Sequence, residues 1–335
     1  MRIFRHYTHL LREARGSVVA LGNFDGVHRG HQAVISTAGK LARELGVAHA
    51  VMTFEPHPRS VFQPHTPPFR LTPMRIKARC IEVLGADHLF VQHFDREFSQ
   101  MTAEAFITGV LCNGVAASHV VAGYDFVFGH GRKGDCALLE RMAPERGFAF
   151  TRVPRAVDAS GAAYSSTKIR ELIAGGEPAE ATVFLGRLFE IEGRVVPGDG
   201  RGRELGFPTA NVHFEDFVIP ATGVYAVCAG VDKGAETLWR DGVANFGFRP
   251  TFGGGKKMLE VHLFGECNDL TGCHLRVALA DYLRPEKTFD EVAQLRAQIA
   301  DDINAAKAVL AGFSSGGEVA EVPSLPPNGA ANGML

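Results

Sequence analysis

Two imidazoles, His28 and His31, stand three residues apart in the string LGNFDGVHRGHQ at residues 21–32. Such side chains can donate hydrogen bonds to phosphoryl oxygens as negative charge builds during displacement at phosphorus. The same string carries Gly22, Gly26 and Gly30, which let the backbone approach a ligand closely. It also leads into a helix pattern, whose first amides are unsatisfied donors at the positive end of a dipole. The combination reads as a phosphate cradle with two donors beside it, and it is far more demanding than a lone glycine turn.

Three further strings carry chemistry. SSTKIRE (165–171) opens a helix that Ser166 or Thr167 can cap, while Lys168 and Arg170 put cations near its positive end. That placement is unfavourable unless an anion sits there. GDGRGRELGFPTANV (198–212) reads as a Gly/Arg-rich loop feeding a short strand, with Thr209 and Asn211 on one side because strand side chains alternate. Their hydroxyl and amide oxygens are hard donors of the kind Mg²⁺ accepts beside substrate phosphates, although a polar turn at a strand edge also accounts for the pattern. In MLEVHLFG (258–265), Leu259, Val261 and Leu263 share one face of a strand and Glu260 lies on the other with Met258 and His262. A carboxylate held this way can accept a hydroxyl proton, and on pattern alone a solvated strand carboxylate is the ordinary alternative.

The elements that must position these residues fall into two styles. Up to about residue 186, short apolar runs alternate with helical patterns: SVVAL (17–21), AHAVMTF (48–54), DHLFVQHF (87–94), SHVVAG (118–123) and FAFTRV (148–153). That alternation predicts βαβ units and a parallel sheet. Val34, Ala38, Leu41 and Leu45 recur at helical spacing before Gly46, a natural stop, so the two-histidine string is a strand-to-helix turn at the carboxyl edge of the sheet. After Gly175-Gly176 and a last helical stretch, the pattern becomes short strands with Gly/Pro turns (LFEIEGRVVPG, VYAVCAGV, TLWRDGVANFG, MLEVHLFG, HLRVALADYL), which predicts a small antiparallel barrel. A helix follows from about Phe289 to Leu310, with Val292, Leu295, Ile299, Ile303 and Val309 near one face. The expected division is 1–185, 186–312 and a Gly/Pro/Ser/Ala-rich, disordered tail at 313–335.

Composition narrows the partners. The 335 residues are 46% apolar and 21% charged with a net charge of −2, so there is no global basic field and nucleic acid is not an expected partner. Six scattered cysteines with no C-x-x-C pair suggest neither a disulfide framework nor a zinc site. Neither a signal-peptide core nor a run of about 20 apolar residues is evident, so the expected setting is the cytoplasm, away from membranes.

These strings together resemble the prokaryotic bifunctional riboflavin kinase/FMN adenylyltransferase family, also called FAD synthetase, over about residues 15–310. The resemblance implies an α/β nucleotidyltransferase-type, Rossmann-like parallel-sheet domain followed by a small antiparallel β-barrel with a C-terminal helix. It implies that His28 and His31 stabilise the transferred α-phosphate without a covalent intermediate. ATP for that step would be bound by Gly22, Asn23, Phe24, Asp25 and Gly30, by Asp125 of GYDFVFG (123–129), and by Ser166, Thr167 and Arg170. On pattern alone Asp125 is equally a turn residue. TFEPHP (53–58), otherwise a Pro-rich strand exit, resembles the family's flavin-side loop and assigns Pro56, His57 and Pro58 to flavin. In the barrel, GFPTAN (206–211) resembles the riboflavin kinase signature, with Gly206, Pro208, Thr209 and Asn211 binding Mg-ATP and Thr209 and Asn211 holding Mg²⁺. Glu260, downstream of RPTF at 249–252, is then the catalytic base. The implied substrates are ATP, riboflavin and FMN. The rival readings are a nucleotidyltransferase for another small phosphate ester with the barrel as a binding module, and a flavin or nucleotide sensor without turnover.

Overall fold

In the computed structural model, the described residues are 1–8, 10–158, 160–232, 236–249, 256–265 and 269–312. The expected tail at 313–335 and most of the RPTF string lie outside them. The chain divides into two compact units, one of residues 1–67 and 72–166 and the other of residues 68–71 and 167 onward.

The first unit is built on six parallel strands: β1 (Arg2–Phe4), β2 (Val18–Leu21), β3 (His49–Glu55), β4 (His88–His93), β5 (His119–Gly123) and β6 (Ala149–Val153). Their order is β1-β4-β3-β2-β5-β6, so successive crossovers leave β2 in opposite directions and the topological switch falls between β2 and β5. Open α/β sheets bind ligands outside the carboxyl ends of strands at such a switch. All four residues of β2 are buried because helices or loops cover both faces, which is why the strand reads as a continuous apolar run. Helix α1 (Arg29–Leu45) packs on β2, β3 and β5 and ends at Gly46, whose φ of 67° is the left-handed stop that glycine accepts. Its buried face is Val34, Ile35, Ala38, Gly39 and Ala42, not the stripe expected through Leu45, which is 54% exposed. Gly39 sets that rotation: a Cβ there would lie 3.0 Å from the His49 ring, so helix and strand meet at closest approach. Two further helices, α2 (Pro58–Phe62) and α3 (Met74–Val83), follow β3.

The second unit is a closed antiparallel barrel of β7 (Phe189–Val196), β8 (Ala210–His213), β9 (Gly223–Asp232), β10 (Thr237–Arg249), β11 (Lys256–Leu263) and β12 (His274–Arg284), in the order β10-β11-β8-β7-β12-β9. Nine consecutive residues of β9 are buried, since one face fills the barrel and the other lies under the C-terminal helix Val292–Ala311. That helix buries Ala306 and Leu310 and half-buries Ile303 and Val309, while Val292 is 63% exposed, so the expected apolar stripe covers the barrel only toward its carboxyl end. Asp302, buried on the same face, accepts from Nε and Nη2 of Arg284 at 2.7 and 2.6 Å and ties the helix to β12.

By packing the units divide at 166/167, while the expected boundary at 185/186 falls at the end of the helix Pro178–Leu185. The helices Ser166–Ala174 and Pro178–Leu185 join the barrel through Ile173 and Gly176: the Ile173 carbonyl accepts from the Ala221 amide at 3.2 Å, and Gly176 lies against Ala221 and Tyr282. Those contacts are tertiary and have no local sequence signature.

Candidate active sites

The turn after β2 is held in an unusual backbone form. Phe24 and Val27 have φ of 49° and 42°, beside Gly26 at 95°. A β-branched residue in the left-handed region is costly and persists only where its surroundings fix it, a condition that clusters at functional sites. Here the surroundings are explicit. The Asn23 carbonyl accepts from Lys77 Nζ at 2.9 Å and from the Thr53 hydroxyl at 3.0 Å. Lys77 is fully buried and also donates to Glu55 at 3.0 Å and to Thr53 at 3.3 Å. On the other side of the turn, Asp25 accepts from the Thr72 amide at 3.0 Å, Thr72 Oγ1 accepts from the Gly26 amide at 2.8 Å, and Ser166 donates to the Asp25 carbonyl at 2.7 Å.

The clamp presents the histidines. His28 is the N-cap of α1, with Nδ1 accepting from the His31 amide at 3.3 Å, and the two rings stack with centroids 3.6 Å apart. Phe24 stands edge-on to His31 at 5.4 Å. A Cβ at Gly30 would come within 3.1 Å of the His28 ring, so the glycine makes room for the imidazole. The expected ATP-contact residues therefore split in kind. Phe24 and Asp25 are 2% and 3% exposed, so their side chains support the turn and any ligand would meet them only through backbone. Asn23 is exposed and Gly30 and His31 are half-buried, whereas Gly22 and His28 are buried, His28 at 5% exposed.

Asp125 sits exposed in the turn after β5, across the topological switch from the two-histidine turn, while Phe128 packs into the core below it. His57 caps the short α2, with Nδ1 accepting from the Arg59 amide at 3.1 Å, and Pro58 takes the first helical position. Ser166 is already inside its helix and its hydroxyl donates to Asp25, so the expected capping role is not what Ser166 does. Thr167 is exposed. Arg170 belongs to the second unit, where Nε donates to the Phe69 carbonyl at 2.7 Å and the guanidinium lies 5.5 Å from the Phe69 ring.

In the barrel the chemistry is set by strand register. Glu260 of β11 pairs with Asn211 of β8 on one side and Asn245 of β10 on the other, which puts the three polar side chains on one face. Leu259, Val261 and Leu263 are buried on the opposite face, as their alternation predicts. Two cavities adjoin this row. One, of about 290 Å³, is lined by Glu260, His262, Asn245 and the apolar Phe289, Leu295 and Ile299. The other, of about 340 Å³, is lined by Gly198, Gly200, Gly202, Arg203, Pro208, Asn211 and Thr271. Gly202 and Thr209 line both. A Cβ at Gly198 would displace the Asn211 amide, so the glycine leaves room for that side chain. Asn245 donates to Glu286 at 3.2 Å, across Gly247, where a Cβ would strike the same carboxylate. A polar cavity beside a largely apolar one, with a carboxylate and two hard oxygen donors at their junction, can bring a phosphate donor to a hydroxyl on an apolar body.

Sequence reasoning missed Thr53, Thr72, Lys77, Asn245 and Glu286. Lys77 did leave a trace: it stands three residues after Met74 and four before Ile81, a lone cation on an apolar helical stripe. Leu295 and Ile299, placed by periodicity only on one face of the C-terminal helix, line a cavity.

A glycine-rich two-histidine turn at the switch of a parallel sheet, followed by a barrel with a carboxylate on the wall of one of two adjoining cavities, is the arrangement of a protein with two phosphorus-transfer domains. The FAD synthetase family model matches residues 10–168 and the riboflavin kinase model residues 185–310. The chain belongs to the bifunctional riboflavin kinase/FMN adenylyltransferase family. It is 42% identical over 287 residues to the member from Escherichia coli K12, covering 86% of this chain and 90% of that one. It is 37% identical to the Bacillus subtilis member, covering 89% and 94%. A crystal structure bearing the name macrolide-efflux protein, from Streptococcus pneumoniae, superposes with a TM-score of 0.80 at 31% identity, covering 90% of this chain and 96% of that one. Among the described residues no helix is long and apolar enough to cross a membrane.

Proposed function

We propose that this chain makes FAD from riboflavin in two steps. At the barrel, ATP phosphorylates the riboflavin 5′-hydroxyl to give FMN and ADP; at the parallel-sheet site, ATP adenylylates FMN to give FAD and pyrophosphate. Both are in-line attacks on phosphorus, where positioning and charge neutralisation supply most of the acceleration.

The observation that carries the reading is the junction in the barrel, where Thr209 lines both cavities and Glu260 opens on the more apolar one. Glu260 accepts the 5′-hydroxyl proton, and Phe289, Leu295 and Ile299 receive the flavin rings. The Gly198–Arg203 loop, Gly206 and Pro208 frame the nucleotide. In the first unit His28 and His31 donate to the α-phosphoryl oxygens, Gly22, Asn23, Gly30, Asp125 and Ser166 bind ATP, and Pro56, His57 and Pro58 bind flavin.

Mg²⁺ fits the barrel. Thr209 and Asn211 offer neutral hard oxygens on one cavity wall, and among the described residues no three His, Cys, Asp or Glu side chains gather to hold a metal. A cation held by two such donors takes its remaining ligands from phosphate and water, which is the Mg²⁺ habit, and it would neutralise phosphate charge. The free, scattered cysteines suit a cytoplasmic site of action. The test is incubation with riboflavin, ATP and Mg²⁺ followed by chromatography. FMN and then FAD are expected; flavin that binds yet stays riboflavin overturns the reading.

A further inference from the structure

The ladder between β8 and β11 pairs Val212 with Leu259, Asn211 with Glu260 and Ala210 with Val261, and then stops. One more step would set Thr209 opposite His262. The residue before Thr209 is Pro208, which has no N–H with which to prolong the pairing. At that point a side chain takes over: His262 Nδ1 lies 2.8 Å from the Pro208 carbonyl oxygen. A carbonyl only accepts, so the proton of this contact is on Nδ1. The ring is held edge-on to Phe207 at 5.8 Å and to Phe264 at 6.1 Å. His262 is two residues from Glu260, on the same strand face and in the same cavity wall.

We infer that His262 is a positioning residue for phosphoryl transfer, fixing the Pro208 carbonyl and through it the Thr209 hydroxyl relative to the Glu260 carboxylate. The inference rests on the kinase reading above. Thr209 precedes β8 and has no ladder bond of its own to Glu260's strand, so the imidazole sets its distance from the base. Displacements of about 1 Å between reacting groups lower rates about a hundredfold, which makes such a strut worth keeping.

Two amide replacements in the full chain separate this role from its rivals. In His262→Asn the amide nitrogen falls near the former Nδ1 and can still donate to Pro208; in His262→Gln it falls near Nε2 and cannot. The Asn variant is expected to keep FMN formation within about threefold of the parent. The Gln variant is expected to lose about tenfold in kcat/KM for ATP, with FAD formation from supplied FMN unchanged. Calorimetric binding of ADP with Mg²⁺ reads the same contact without turnover, and the same order is expected. The reverse order, Gln active and Asn impaired, would mean that the ring acts through Nε2 on substrate. Equal behaviour of the two variants, with or without a lowered melting temperature, leaves packing alone and overturns the inference. A parent chain that forms no FMN defeats the kinase reading instead, and the ADP affinities of the two variants still decide the strut.

Discussion

The two candidate sites solve one problem, holding polar groups beside phosphate, by opposite means. At the parallel sheet the functional groups are contiguous in sequence and the backbone is forced into a left-handed turn, which Lys77, Thr53 and Thr72 clamp from outside. In the barrel the backbone is regular, and the polar row of Asn211, Glu260 and Asn245 comes from three strands in register. The first site stores its precision in a strained turn with buried supports. The second takes it from the hydrogen-bond ladder. Perturbation should therefore act differently on the two: loss of a support should disable the first, and loss of a reacting group should disable the second without disturbing its frame.

The largest expected effect is at the barrel. Glu260→Gln keeps size and removes basicity, so FMN formation should fall by at least about a hundredfold and up to about ten-thousandfold. FAD formation from supplied FMN should be unchanged when both rates are measured on one preparation. At the sheet, Lys77→Met leaves the Glu55 carboxylate, 14% exposed, without its buried cation. Removing one partner of such a pair destabilises by about 3–5 kcal/mol, seen as lowered thermal unfolding of the first unit together with lost FAD formation. Adding Glu55→Gln should recover part of that loss, and additive losses in the double variant would show that the pair is not coupled. His28→Ala removes transition-state hydrogen bonding worth about 3 kcal/mol, so FAD formation should drop about a hundredfold while FMN formation stays near the parent rate. Equal loss of both products would erase the contrast between the sites. The smallest effect is expected from Gly30→Ala: its Cβ meets the His28 ring at 3.1 Å, so the ring must shift by a few tenths of an ångström. A fall of less than about tenfold in FAD formation is expected, read as kcat against KM.

The same contrast explains what could be read in the chain beforehand. The two-histidine turn was legible because its residues are neighbours and their types are restrictive. Its supports were not, since Lys77 contacts Asn23 from 54 residues away and only its place on an apolar helical face hints at burial. In the barrel, alternation put Glu260 off the buried face, and the short strand carrying Asn211 was legible, although β8 begins one residue after Thr209. The pairing of Glu260 with Asn245 required the strand order, which no local pattern carries. The C-terminal helix was legible as a helix, but Leu295 and Ile299 of its apolar stripe face a cavity, and periodicity cannot tell a ligand-facing residue from a core one. The edge strand β1, three residues of ordinary composition, had no signal to find.

The barrel's dependence on register bears on how this half of the molecule can change over generations. Because side chains on β11 alternate between the buried face and the cavity wall, inserting or deleting one residue before Glu260 would exchange it with Leu259 or Val261. The strand would lose its apolar face and its cavity-wall carboxylate in the same event. Point replacements in the lining can be tried one at a time, but length changes within β11 have no half-functional intermediate. Variation in chain length should therefore accumulate in the connections between barrel strands, leaving β8, β10 and β11 to diverge by substitution alone.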